Sequence, residues 1–150
     1  MANAALTEPA AGKRHSIGGD TFRILGGNAD TGDGFTAIEY TGLPDVPGPP
    51  LHVHHTFDEA WYVLEGEVEF TLPEGARLAG PGAYVAIPRG VPHTFQVRGQ
   101  SPARWVGLFS PGRYVQLLVD LGPAIPADGP PDFQRVAQVF AAYDTEILAG

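Results

Sequence analysis

A chain of 150 residues has room for one domain, and a domain of that size buries roughly 68–70% of its unfolded surface. Its 43% hydrophobic and 17% charged residues are those of a folded protein, and a formal charge of −8 excludes a surface built to grip phosphate backbones, so no nucleic-acid partner is expected. Cysteine is absent, which excludes disulfides, thiolate metal sites and cysteine nucleophiles and leaves nitrogen and oxygen as the only metal ligands.

Residues 1–12 are polar and alanine-rich and predict a loose arm. The arm lacks the basic and apolar regions of a signal peptide, and no apolar stretch approaches the roughly 20 residues of a membrane span. A cytoplasmic protein without a membrane partner is the expectation. Lys13-Arg14-His15 reads as a solvated basic feature with His15 at the surface.

From residue 13 onward, Gly and Pro cut the chain into short runs rich in Val, Ile, Phe, Tyr and Trp. Strands are predicted at 21–25, 35–41, 51–54, 59–64, 67–72, 83–87, 93–97 and 104–109. Glu65-Gly66 is placed in a hairpin turn, because glycine tolerates the positive φ such turns require. A β-barrel over 13–110 follows, and the pattern changes after Pro111. Tyr114, Leu117, Leu118 and Leu121 recur at helical spacing, as do Phe133, Val136, Phe140 and Tyr143. Two C-terminal helices are therefore predicted within 111–150, with apolar stripes packed on the barrel or on a dimer partner.

His52 and His54 stand two apart in an extended segment, so the pleat sends both imidazoles to one face. Glu59 opens the next strand and shares a face with Trp61 and Val63. His93 follows the turning segment Pro88-Arg89-Gly90-Val91-Pro92 and can return to the same interior. Burying three imidazoles and a carboxylate without a cation leaves costly polar groups, which argues for a metal from these residues alone. By alternation His55 should face away from the cluster, and Asp58 is disfavoured as the oxygen donor by its shorter reach and its one-residue offset. Trp61, Val63 and Phe95 are the candidate substrate pocket, although Trp61 and Phe95 serve equally well as barrel filling. The strand face of Trp105 is not fixed by its sequence context.

The segment PLHVHHTFDEAWYVLEG, from Pro50 to Gly66, resembles the first motif of the cupin superfamily, and GAYVAIPRGVPH, from Gly82 to His93, resembles the second. Val97 stands where an asparagine often closes the second motif, and Gly48 lies too near the histidine pair to be the leading glycine of the first. The resemblance implies a single-domain cupin, an all-β jelly-roll barrel or double-stranded β-helix, similar to the quercetin dioxygenase group. It also implies His52, His54, Glu59 and His93 as ligands of one divalent transition metal. Fe, Mn, Ni or Co suit such a set best, with Zn or Cu as alternatives. The leading expectation is a dioxygenase that takes a small enolic or phenolic substrate and dioxygen, with Glu59 both ligand and acceptor of the substrate's hydroxyl proton. The alternatives are a non-redox isomerase, epimerase or cyclase using the metal as a Lewis acid, and a small-molecule-binding cupin without chemistry. A homodimer is expected from exposed sheet edges and from more apolar helix stripe than one barrel covers.

Overall fold

Gly66 shows how the chain is cut into strands. In the computed structural model, which describes residues 3–149, Gly66 has a φ of 75°, and a Cβ there would come within 2.7 Å of Ala103 Cα. A bare backbone is what lets β5 (Asp58–Glu65) turn into β6 (Glu67–Leu72) against the neighbouring strand. Before β5 run β1 (Arg14–Ile17), β2 (Asp20–Gly26), β3 (Thr36–Gly42) and β4 (His52–His54). After β6 come β7 (Gly75–Ala79), β8 (Tyr84–Ile87), β9 (Thr94–Arg98) and β10 (Ala103–Ser110). The chain then forms a 3-10 turn (Gly112–Val115), α1 (Gln116–Leu121), a second 3-10 turn (Gly122–Ala124), α2 (Phe133–Ala142) and β11 (Thr145–Ile147).

Two antiparallel layers result. One is a six-stranded sheet in the order β1-β2-β3-β10-β5-β8. The other joins β7-β6-β9 to the pair β4-β11 through an isolated antiparallel bridge between His52 and His93. Strict alternation of burial marks the inward faces: Thr36, Ile38 and Tyr40 on β3, Ala103, Trp105 and Phe109 on β10, and Val68 and Phe70 on β6. The fold is the all-β cupin barrel with two C-terminal helices expected from the motifs.

The structure adds three strands to the eight expected. β1 carries Arg14 and His15, β7 is exposed at all but its last residue, and β11 has only three residues, so none shows an apolar alternation. β11 also changes the end of the chain. Residues 145–147, expected within a helical segment, pair with β4 in the register Thr145↔His54 and Ile147↔His52. Residues 3–13 hold no strand or helix, yet Thr7 Oγ1 donates to Leu25 O and Arg23 Nη1 donates to Ala11 O, so they lie along β2. The helix stripes are covered within the chain itself: Leu117, Leu121, Val136 and Phe140 are all buried, while Phe133 is left exposed. Asp132 caps α2 by accepting from Arg135 N–H.

Candidate metal centre

The candidate donor residues come from three places in the fold. β4 supplies His52 and His54, the start of β5 supplies Glu59, and the bridge opposite His52 supplies His93. Mutual backbone bonds between His52 and His93 hold that bridge, N–H to O at 3.1 and 2.9 Å. The three imidazoles bring one nitrogen each to within 4.8 Å of one another. Glu59 Oε2 lies 2.9 Å from His54 Nε2 and 3.0 Å from His93 Nε2. All four side chains are buried.

The outer nitrogens reveal what the inner ones carry. His52 Nδ1 lies 2.8 Å from Pro50 O and His93 Nδ1 lies 3.0 Å from Val91 O, and a carbonyl oxygen can only accept, so both Nδ1 atoms bear the proton. His54 Nδ1 lies 2.7 Å from Thr145 Oγ1, whose own hydroxyl donates to Tyr143 O. The hydroxyl is thereby left to accept, and His54 carries its proton on Nδ1 as well. In their neutral forms all three Nε2 atoms therefore carry lone pairs, and those of His54 and His93 face the carboxylate of Glu59. Three imidazole nitrogens and a carboxylate gathered in one buried space favour a cation among them. Without a metal, an imidazolium proton must fill that role, and the electrostatics show the strain of that solution. Burial, with His93 and His54 adding to it, pushes His52 down to about 4. Burial lowers His93 too, but the hydrogen bond and charge of Glu59 raise it on balance. Burial would raise Glu59, yet His54 and His93 outweigh it and hold the carboxyl far below its ordinary range. The donor set fits a divalent ion.

Aromatic rings fix the imidazoles from outside. Phe57 stacks on His54 with centroids 4.1 Å apart, and Phe140 of α2 lies against His52 at 5.8 Å. Phe140 figured in the sequence only as a helix-stripe residue, Phe57 sits in a bend without periodicity, and Thr145 carried no signal of contact with residue 54.

Other candidates fall outside the cluster. His55 points to the surface, where its Nε2 meets Glu146 Oε2 at 3.0 Å. Asp58 accepts the backbone N–H, Nε and Nη2 of Arg89 at 2.8–3.1 Å, which pin the loop before His93. His15, expected at the surface, is half-buried and stacks on Phe22 at 5.1 Å. Trp61 and Val63 point inward and are buried, Phe95 is half-buried, and Trp105 proves to be an inward residue that is 1% exposed.

No described helix is long and apolar enough to cross a membrane. Residues 43–109 match the cupin domain family. Over 95% of its length the chain is 30% identical to quercetin 2,3-dioxygenase of Bacillus subtilis strain 168, and it spans 44% of that relative. The polyketide cyclase RemF from Streptomyces resistomycificus is 25% identical with a TM-score of 0.60, over 76% of this chain and 94% of that one. KdgF from a Halomonas species shares the fold, with a TM-score of 0.62 at 19% identity over 73% of this chain and 94% of that one. Residues 43–109 are thus a cupin domain, and the chain as a whole resembles the quercetin dioxygenase-like group of cupins.

Proposed function

We propose that His52, His54, Glu59 and His93 hold one divalent transition metal, with Fe, Mn, Ni or Co favoured, and that the protein oxygenates a small enolic or phenolic substrate there. The observation that carries this reading is the convergence of Glu59 Oε2 on two Nε2 atoms whose rings are protonated on the opposite nitrogen. A bound ion would polarise a coordinated substrate oxygen and, if redox-active, support reaction with dioxygen.

The chain's own residues do the rest. The three histidines hold their lone pairs inward because Pro50 O, Val91 O and Thr145 Oγ1 fix their tautomers. Glu59 presents Oε2 to the cluster, and that oxygen is placed to accept the proton a phenol or enol releases on binding. Trp61 and Phe95 follow Glu59 and His93 by two residues on their inward faces and, with Val63, form the apolar wall proposed for the substrate.

A second reading keeps the same residues for Lewis-acid cyclisation or isomerisation, and the likeness to a polyketide cyclase at 25% identity favours it over a purely passive binding role. Turnover of candidate enols and phenols by metal-loaded protein, with and without dioxygen, separates the two. Loss of activity under strict anaerobiosis supports the oxygenase, and full anaerobic turnover refutes it.

We also propose a homodimer. Tyr62 and Tyr84 face each other on β5 and β8 and are exposed, as is Leu108 on β10, and β8 is an edge strand. A second copy is the natural cover for an apolar face beside an open edge.

A further inference from the structure

Beyond the donor cluster the barrel is filled by aromatic rings in register. Trp61 lies two residues from Glu59 on the same face of β5, roughly 7 Å along the strand. It stacks on Trp105 of β10 with centroids 4.8 Å apart and planes 15° apart. Trp105 lies opposite Tyr40 of β3 and stacks on it at 4.6 Å and 17°. Tyr40 also stacks on Phe22 at 6.1 Å, and its hydroxyl makes the stack's polar contact. Tyr40 Oη donates to Asp20 Oδ2 at 2.9 Å, and Asp20 Oδ1 accepts Leu43 N–H at 2.9 Å. Both side chains are buried.

Packing alone does not call for this contact. A phenylalanine at 40 would stack as well, and burying a phenol with a carboxylate costs desolvation that an apolar pair avoids. Indole and phenol are also the aromatic side chains that release an electron most readily, and a phenol does so far more easily when its proton has a base to go to. The chain has no cysteine and one methionine, at position 1, to compete as electron donors, and both of its tryptophans are in the stack.

We propose that Trp61, Trp105 and Tyr40 form a one-electron relay that draws oxidising equivalents away from the donor cluster, with Asp20 as the proton acceptor. Its use rests on the oxygenase reading, although its existence does not. The oxidant is hydrogen peroxide taken from solution, which a redox-active ion held by the cluster would bind and reduce. Its reduction to two waters takes two electrons and two solvent protons, and a redox-active divalent ion held by His52, His54, Glu59 and His93 would supply one of the electrons. Trp61 supplies the other and is refilled from Trp105, which is refilled from Tyr40. Tyr40 loses its phenolic proton to Asp20 as it loses the electron, leaving a neutral tyrosyl radical beside a neutral carboxyl. The oxidising equivalent then rests on Tyr40, away from the metal ligands.

Laser-flash photoionisation tests the relay without a metal, since ejecting an electron from an indole starts the vacancy on one of the chain's two tryptophans. In the full-length protein the indolyl absorption should decay as a tyrosyl absorption grows, at a rate independent of protein concentration. Tyr40→Phe keeps the stack and should abolish most of that tyrosyl yield, although Tyr62, Tyr84, Tyr114 and Tyr143 remain. Asp20→Asn keeps the phenol but removes its base, and should slow the growth by about tenfold, a barrier increase of about 1.4 kcal/mol. Absence of transfer in the wild type, or undiminished tyrosyl growth in Tyr40→Phe, overturns the relay. Iron(II)-loaded protein treated with hydrogen peroxide should then show a tyrosyl signal by electron paramagnetic resonance that is lost in Tyr40→Phe. A signal that persists in that variant breaks the link to the cluster. Failure to bind iron(II) while the flash experiment succeeds counts against the metal centre and leaves the relay standing.

Discussion

Replacing Thr145 with Val should weaken metal binding although residue 145 touches no metal. The hydroxyl of Thr145 accepts from His54 Nδ1 at 2.7 Å and donates to Tyr143 O at 3.2 Å, in a position that is 5% exposed. Valine has nearly the same shape, so the β4–β11 ladder that pairs Thr145 with His54 is kept. What changes is the proton on His54. Either Nδ1–H stays without a partner in a buried site, at about 1–3 kcal/mol, or the ring changes tautomer and its proton blocks the lone pair on Nε2. Loss of such an outer hydrogen bond typically weakens metal affinity 10–100-fold, about 1.4–2.7 kcal/mol, which overlaps the first estimate. Competition titration against a chelator reads this directly, with Thr145→Ser as the control that keeps the hydroxyl. An unchanged dissociation constant in Thr145→Val, or a loss in Thr145→Ser as large as that in Thr145→Val, would refute the tautomer argument.

Four other outcomes follow from the same geometry. His52→Ala, His54→Ala and His93→Ala should each lose most bound metal, while His55→Ala should retain it, because His55 faces Glu146 at the surface; metal-to-protein ratios of the purified variants decide this. Chelation should lower the melting temperature, since saturation at a thousand times the dissociation constant adds about 4 kcal/mol, and an identical melting curve after verified metal removal would count against binding to the folded state. Burial raises the Asp20 carboxyl above its ordinary 3.8, against the lowering effect of its bonds from Leu43 and Tyr40. The folded state thus holds that proton more tightly than the unfolded one. Its stabilising contribution is complete below pH 3.8 and is lost as pH rises through the raised value, and Asp20→Asn should remove that slope from a plot of melting temperature against pH. Sedimentation should find a species of twice 15.9 kDa, and Tyr62→Lys with Tyr84→Lys should return it to the monomer mass.

Local periodicity made the barrel legible and long-range closure did not. The strands at β5 and β6 followed from spacing, and Trp61 and Val63 were placed on one face with Glu59 by alternation. The candidate metal donors were legible for a different reason. His52 and His54 share a face by pleat, and the intervals to Glu59 and His93 match a recurring motif, yet alternation is not visible at β4 itself, where His52, Val53 and His54 are all buried. What no local pattern revealed is the role of β11, because a three-residue strand has too few positions to show a period, and its partner His54 lies 91 residues away. The same limit hid the Asp20–Tyr40 pair, whose members are 20 residues apart on adjacent strands.

These two unforeseen contacts differ in kind from the core around them. Val63 and Val68 are buried by apolar packing that any residue of similar volume would approximate. Thr145 and Asp20 instead each place an oxygen within hydrogen-bond reach of a polar group on an aromatic side chain, His54 Nδ1 in one case and Tyr40 Oη in the other. A hydroxyl or carboxylate buried at 5–7% exposure carries a desolvation cost that its hydrogen bonds must offset, to His54 and Tyr143 for Thr145 and to Tyr40 and Leu43 for Asp20. The rest of the barrel can be built without either oxygen, and it is the protonation of His54 and of Tyr40 that each one controls. Strand β11 is thus more than an edge added to β4: by fixing the proton of His54 on the outer nitrogen, it leaves the inner nitrogen free to donate, so the metal binding proposed for His54 should depend on Thr145.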